Sequence, residues 1–107
     1  MRKIEKEMLQ AIKNKTNFHK GNTSIVYYPA IETETRVRIE TSKVFLHGNH
    51  IATVIHEAPY NGRVVINKDT LAQWPTMITA SRLCALGHHV NISKGQAYIN
   101  GELCKGN

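Results

Sequence analysis

The pattern of apolar and polar positions divides the chain into an N-terminal helix, a β-rich middle, a second helix and a closing hairpin. In residues 3 to 14, Ile4, Met8, Leu9 and Ile12 fall on one stripe at helical spacing, which predicts an amphipathic helix. Lys3 and Glu7 make an i,i+4 pair, and Arg2 and Lys3 oppose the helix dipole, so the first turn is expected to fray. Residues 14 to 22 are polar, include Gly21, and read as a loop. From Thr23 to Asn67 the signals are β. Ser24 to Tyr28 is rich in β-branched and aromatic residues and stops at Pro29. Val44 to His47 and His50 to Ile55 read as a hairpin turning at Gly48-Asn49, and Asn61-Gly62 reads as a second turn feeding Arg63 to Asn67.

Between these runs, residues 30 to 42 alternate Glu32, Glu34, Arg36, Arg38 and Glu40 with Thr, Val and Ile, the pattern of an exposed strand or long hairpin whose charges pair with one another. Further along, a short helical turn at Asp69 to Gln73 precedes Trp74, which reads as a core plug beside Pro75. Thr76 is a candidate N-cap for a helix over Met77 to Leu86, with Met77, Ala80, Leu83, Cys84 and Leu86 on its apolar side and Gly87 as the stop. The last pattern is a hairpin turning at Lys94-Gly95. Val90, Ile92, Ala97 and Ile99 share the covered face, and Asn91, Ser93, Gln96 and Tyr98 share the other. Residues 101 to 107 read as a loose tail. The prediction is a single α+β domain: an N-terminal helix, an antiparallel sheet of hairpins, one internal helix packed on it, and a C-terminal hairpin.

Composition adds a partner class to this fold. A chain of 107 residues with a 41% hydrophobic fraction has room for one core. Lys and Arg number 14 against 8 acids, a formal net charge of +6. Such a field concentrates polyanions, of which nucleic acid is the commonest, although the same charge also serves plain solubility. No apolar run approaches membrane-spanning length, and residues 1 to 15 carry charges throughout with no signal-peptide core, so a cytoplasmic location and no membrane partner are expected. Cys84 and Cys104 are too few for a disulfide framework and read as reduced thiols.

Candidate chemistry is sparse. His47 and His50 flank the expected turn, with Cβ atoms roughly 5 Å apart. A structural Zn²⁺ needs four ligands, which leaves His56 or a cysteine to be recruited without any spacing that demands it. No glycine-rich phosphate loop, GxSxG or HExxH occurs. The reading is therefore a non-enzyme with no cofactor and no metal. The polar side of the second helix is the candidate surface. Thr76, Thr79 and Arg82 recur every three residues and form a row able to hydrogen-bond phosphates or base edges, and a helix followed by a hairpin gives a helix-plus-wing layout. Lys94 at the wing tip and the Lys13, Lys15 and Lys20 cluster are the expected phosphate contacts. The same Thr residues also serve as caps. Tyr27, Tyr28, Tyr60 and Tyr98 are able to stack on bases or to fill a protein interface, with Tyr60 and Tyr98 as the interface candidates.

Several segments together carry a resemblance: His47-Gly48-Asn49-His50-Ile51-Ala52, Trp74-Pro75-Thr76 with Thr79, and Arg82-Leu83 with Ala85-Leu86. With Gly21-Asn22-Thr23 after the first helix and Ala97-Tyr98-Ile99-Asn100-Gly101 near the end, the order resembles a small domain of tailed bacteriophages. Residues 30 to 42 look like an insertion in that pattern. The resemblance implies a phage accessory protein made in the cytoplasm of an infected bacterium, and it names no catalytic residues. Two functions follow as expectations: binding of DNA or RNA without catalysis, or inhibition or modulation of a host enzyme such as a polymerase, nuclease or defence protein. A small metal protein using His47, His50 and His56 is a third. Exposed sheet edges also suit a homodimer.

Overall fold

The computed structural model describes residues 1–56 and 63–106. Tyr60 and the Asn61-Gly62 turn lie outside these residues. The fold is α+β. Helix α1 (Lys3–Lys13) leads into strands β1 (Phe18–Lys20) and β2 (Thr23–Tyr28). A short ribbon, β3 (Ile31–Glu32) and β4 (Val37–Arg38), follows, then β5 (Thr41–Leu46), β6 (Asn49–Ile55) and β7 (Arg63–Ile66). Helices α2 (Lys68–Gln73) and α3 (Met77–Ala85) precede β8 (Val90–Ser93), β9 (Gln96–Ile99) and β10 (Glu102–Leu103). The main sheet is antiparallel, in the order β1-β2-β5-β6-β7, and the C-terminal sheet is β10-β9-β8.

Turn chemistry sets the register. His47-Gly48, Lys94-Gly95 and Asn100-Gly101 each place two successive residues at positive φ, the requirement of a two-residue type I′ hairpin. The first turn is therefore His47-Gly48, one residue earlier than the Gly48-Asn49 pair that the sequence suggested. Leu46 then faces Asn49 across the turn, and Phe45 faces His50. His47 and His50 are consequently not cross-strand partners. The third turn returns the chain along β9, so residues 102–103 are a strand rather than part of a loose tail, and the Cys104 N–H donates to the Ala97 carbonyl.

The core lies between one face of the main sheet and the helices. It joins Met8 and Ile12 of α1, Ile25, Val44, Leu46, Ala52, Val54 and Ile66 of the sheet, and Leu71, Ala80 and Leu83 of α2 and α3. Val90 and Ala97 extend it into the C-terminal sheet. In that sheet Val90 pairs with Ile99 and Ile92 with Ala97, on the face the alternation predicted. Val44 pairs with Ala52 while Phe45 pairs with His50, so Ile51 is an extra bulged residue, and it points into the core.

Three apolar assignments are corrected. Trp74 is 50% exposed and Met77 is 69% exposed, and Cys84 is also exposed. Trp74 is the C-cap of α2 and Met77 the first residue of α3, so both lie at a helix junction that points away from the core. Cys84 lies off the Ala80–Leu83 stripe, and its thiol donates to the Val90 carbonyl at 3.1 Å. The helical turn expected at 69–73 is a full helix, capped by Asn67, whose side chain accepts from the Thr70 N–H.

Candidate functional site: an uncovered sheet face beside a buried arginine

The two faces of the main sheet separate by strict alternation along each strand. Inward are Thr23, Ile25 and Tyr27 of β2, Ser42, Val44 and Leu46 of β5, and Ala52 and Val54 of β6. Outward, residues that pair with one another share the opposite face: Ser24 with Phe45, Val26 with Lys43, and Tyr28 with Thr41. Thr53 and Ile55 continue the face onto β6, and Val65 and Arg63 onto β7. His19 of β1 pairs with Ser24 on the same side. None of these outward residues is buried, whereas most of the inward ones are.

The inner side holds a buried ion pair. Arg82 is 3% exposed, and its guanidinium donates to Glu5 Oε2 at 2.8 Å, to Thr23 Oγ1 at 3.0 Å and to Asn22 Oδ1 at 3.4 Å. Ser81 donates to the same Glu5 oxygen at 2.6 Å, and the Arg2 N–H donates to the other carboxylate oxygen. Burial pushes the Glu5 carboxyl up, but the hydrogen bonds from Ser81, Arg2 and Arg82, with the Arg82 charge, hold it below the ordinary carboxylate value. This pair ties α1 to α3 and to the β1–β2 turn. It also gives the first turn of α1 an acidic N3 residue as a partner, so the expected fraying is countered.

Of the expected contact row on α3, Thr76 is exposed, but Thr79 and Arg82 are buried and do not share its surface. Arg82 is spent on internal partners. Thr79 is buried, and Thr76 caps the helix by accepting from the Thr79 N–H at 3.2 Å. The two threonine hydroxyls also bond to each other at 2.9 Å. The lysines divide. Lys15 pairs with Glu40 at 2.7 Å, and Lys20 pairs with Glu7 at 2.9 Å, which takes Glu7 from its expected partner Lys3. Lys13 and Lys94 are exposed, Lys13 on α1 and Lys94 at the tip of the C-terminal sheet. Tyr98 is half-buried, with its hydroxyl donating to Gln96.

A second polar cluster lies at the inner edge of the sheet. Glu40 accepts from the Tyr27 hydroxyl and from Lys15. These two bonds, Lys15's first, hold its carboxyl below the usual range, and the same bond raises the Tyr27 phenol. Ser42 and His56 share a hydrogen bond of 2.8 Å. That is the spacing of a nucleophile and its base, but Ser42 is 0% exposed. The bond instead fastens β5 to the end of β6. Burial depresses the His56 imidazole, and burial with the Lys43 charge depresses His50. His50 is occupied by Thr53 at 2.8 Å and Asn67 at 3.4 Å. Among the described residues no group of three or more His, Cys, Asp or Glu side chains gathers in a metal-binding arrangement.

The outer face differs in charge and in ring content. Its strand residues include Lys43, Arg63, His19 and His50 and no carboxylate. Lys43 Nζ stands 5.1 Å from the Tyr28 ring centre, and Arg38 reaches in from the ribbon to 5.5 Å from the same ring. Phe45 lies against His50 with ring centres 5.5 Å apart. Neither Lys43, Arg63 nor Arg38 enters an ion pair among the described residues. Of these side chains, sequence reasoning had singled out only Tyr28 as a stacking candidate. The signal was present in 41–46, where Thr41, Lys43 and Phe45 alternate with Ser42, Val44 and Leu46.

The fold is that of a small α+β protein whose main sheet, among the described residues, has one face covered by helices and one left open. The chain belongs to the Kyanoviridae Gp96 protein family, whose model matches residues 1–106. No curated protein and no solved structure matches it. Among the described residues no helix is long and apolar enough to cross a membrane.

Proposed function

We propose that this phage protein binds nucleic acid, without catalysis, across the open face of its main sheet. One observation carries the reading: the face left open among the described residues holds Lys43 and Arg63 with no carboxylate among its strand residues, and Arg38 leans onto it. Two acids, Glu5 and Glu40, are turned away from this face and engaged by Arg82 and Lys15. The net charge of +6 supplies long-range attraction, and exposed Lys13 and Lys94 add peripheral phosphate contacts. In this reading the protein acts in the cytoplasm of the infected bacterium.

An electrophoretic mobility shift at low and raised salt tests it. DNA or RNA is expected to be retained at low salt and released steeply as salt rises, and the double variant K43A/R63A is expected to lose most of the retention. No retention of either polymer at low salt overturns the reading.

The host-protein reading has its own observation in the exposed Trp74 and Met77 at the α2–α3 junction, residue types favoured at interface anchors. A host protein that stays bound after nuclease treatment, and is lost with Trp74→Ala, would move the function there.

A further inference from the structure

We infer that the ligand of the outer face is single-stranded nucleic acid, with one base resting on Tyr28, a second on Phe45, and a phosphate between them at Lys43. This rests on the nucleic-acid reading and narrows it to a strand whose bases are unpaired.

Register places the three residues. Tyr28 is the cross-strand partner of Thr41, and Thr41, Lys43 and Phe45 follow one another at every second position of β5 on the same face. At about 3.3 Å per residue, the level of Tyr28 and that of Phe45 are ~13 Å apart, with the Lys43 level midway. Rings at that separation do not match neighbouring bases of a duplex, which are spaced roughly 3.4 Å apart and have both faces covered by stacking. A strand with splayed bases spans the distance and offers an open π-face at each end.

Charge and shape exclude the duplex from this face in the same way. A groove is read by an element that enters it, and the outer face is a sheet surface with no helix on it. The β3–β4 ribbon is the one two-stranded projection beside it, but its acids Glu32 and Glu34 would meet phosphate there. The cations at Tyr28 suit a single strand better. Lys43 and Arg38 lie on the ring in the free protein, and Arg38 Nε is buried without a hydrogen-bond partner. A base that lands on Tyr28 displaces a cation from the ring, and the adjoining phosphate takes that cation up. The protein thereby exchanges a cation–π contact for base stacking and a charge-assisted bond.

Fluorescence anisotropy of the full chain with labelled oligothymidylate, oligouridylate and a mixed-sequence duplex tests the assignment. The single strands are expected to bind on the order of tenfold more tightly than the duplex. Tyr28→Ala is expected to weaken single-strand binding by on the order of tenfold and to leave duplex binding unchanged, while Tyr28→Phe keeps it. Phe45→Leu, which retains apolar bulk on the sheet, is expected to act in the same direction, and thermal melting of each variant checks that it folds. Equal affinity for duplex and single strand, or loss with Lys43→Ala but none with Tyr28→Ala, overturns the stacking assignment and leaves nucleic-acid binding standing. Absence of binding to all three probes at low salt overturns both. The two single-strand probes separate DNA from RNA.

Discussion

The same strands present two faces built on opposite rules. On the inner face a full charge is buried, and Arg82 is surrounded by Glu5, Thr23 and Asn22. On the outer face Lys43 is half-buried against Tyr28 and Arg63 is exposed, and neither enters an ion pair among the described residues. The difference teaches that the location of a cation on the fold, more than the number of cations, decides whether it is structural or available. Of the 14 lysines and arginines, Arg82 is the one most completely removed from any partner outside the chain, although its spacing in the sequence puts it in one row with Thr76 and Thr79.

The largest expected effect breaks the inner side of that contrast. Arg82→Ala strands Glu5 as an unpaired buried carboxylate, and a loss of about 3–5 kcal/mol is expected in chemical denaturation. The double variant R82M/E5L removes both charges and should recover most of that loss. If Arg82→Ala unfolds no more easily than wild type, the pair is not what joins α1 to α3.

Acid should act next, on the two inner carboxylates and on one histidine of each face. The Glu5 and Glu40 carboxyls are held below 4.5 in the fold, so the stability they contribute is complete above that pH and is lost as pH falls through their lowered values. His50 and His56 are depressed from 6.5, so the unfolded chain takes up protons first and stability also falls as pH drops below 6.5. The melting temperature is expected to decline in two stages on acidification, and Glu5→Gln should blunt the lower one. A flat profile between neutral and acid pH would contradict both assignments.

Smaller effects follow at the helix cap and on the outer face. Thr76→Ala removes the α3 cap and should cost about 1 kcal/mol. Lys43→Ala should change stability by less than about 0.5 kcal/mol while weakening oligonucleotide binding, since nothing in the core touches it. A stability loss as large as that of Arg82→Ala would show that the outer face is structural as well.

Much of this architecture was legible in the residues. The C-terminal hairpin was, because Lys94-Gly95 is flanked by clean alternation on both sides and the covered face is the apolar one. The Thr76 cap and the Gly87 stop were, because both are local chemistry. What escaped depends on partners distant in the chain. Arg82 has the same spacing as an exposed row residue, and only Glu5, 77 positions away, makes it a buried one. Trp74 and Met77 have core-forming side chains, but the helix junction turns them outward. His47 at positive φ was unreadable as a turn residue because glycine or asparagine usually marks that position. The outer face escaped for another reason: alternation in 41–46 shows that one side differs from the other, but whether helices cover one side or both is decided by topology.

The ribbon between β2 and β5 has a consequence for how this surface can vary. Tyr28 and Thr41, which bracket it, are direct cross-strand partners, so the chain leaves and re-enters the sheet at nearly the same point. Residues 29–39, short of the Glu40 that binds Tyr27 and Lys15, can therefore be lengthened, shortened or exchanged at small entropic cost, since the pairing of β2 with β5 does not depend on them. Yet Arg38 on the ribbon lies against the Tyr28 ring. The ribbon is thus a surface excursion beside a fixed sheet face, and it can be edited while the packed interior stays unaltered.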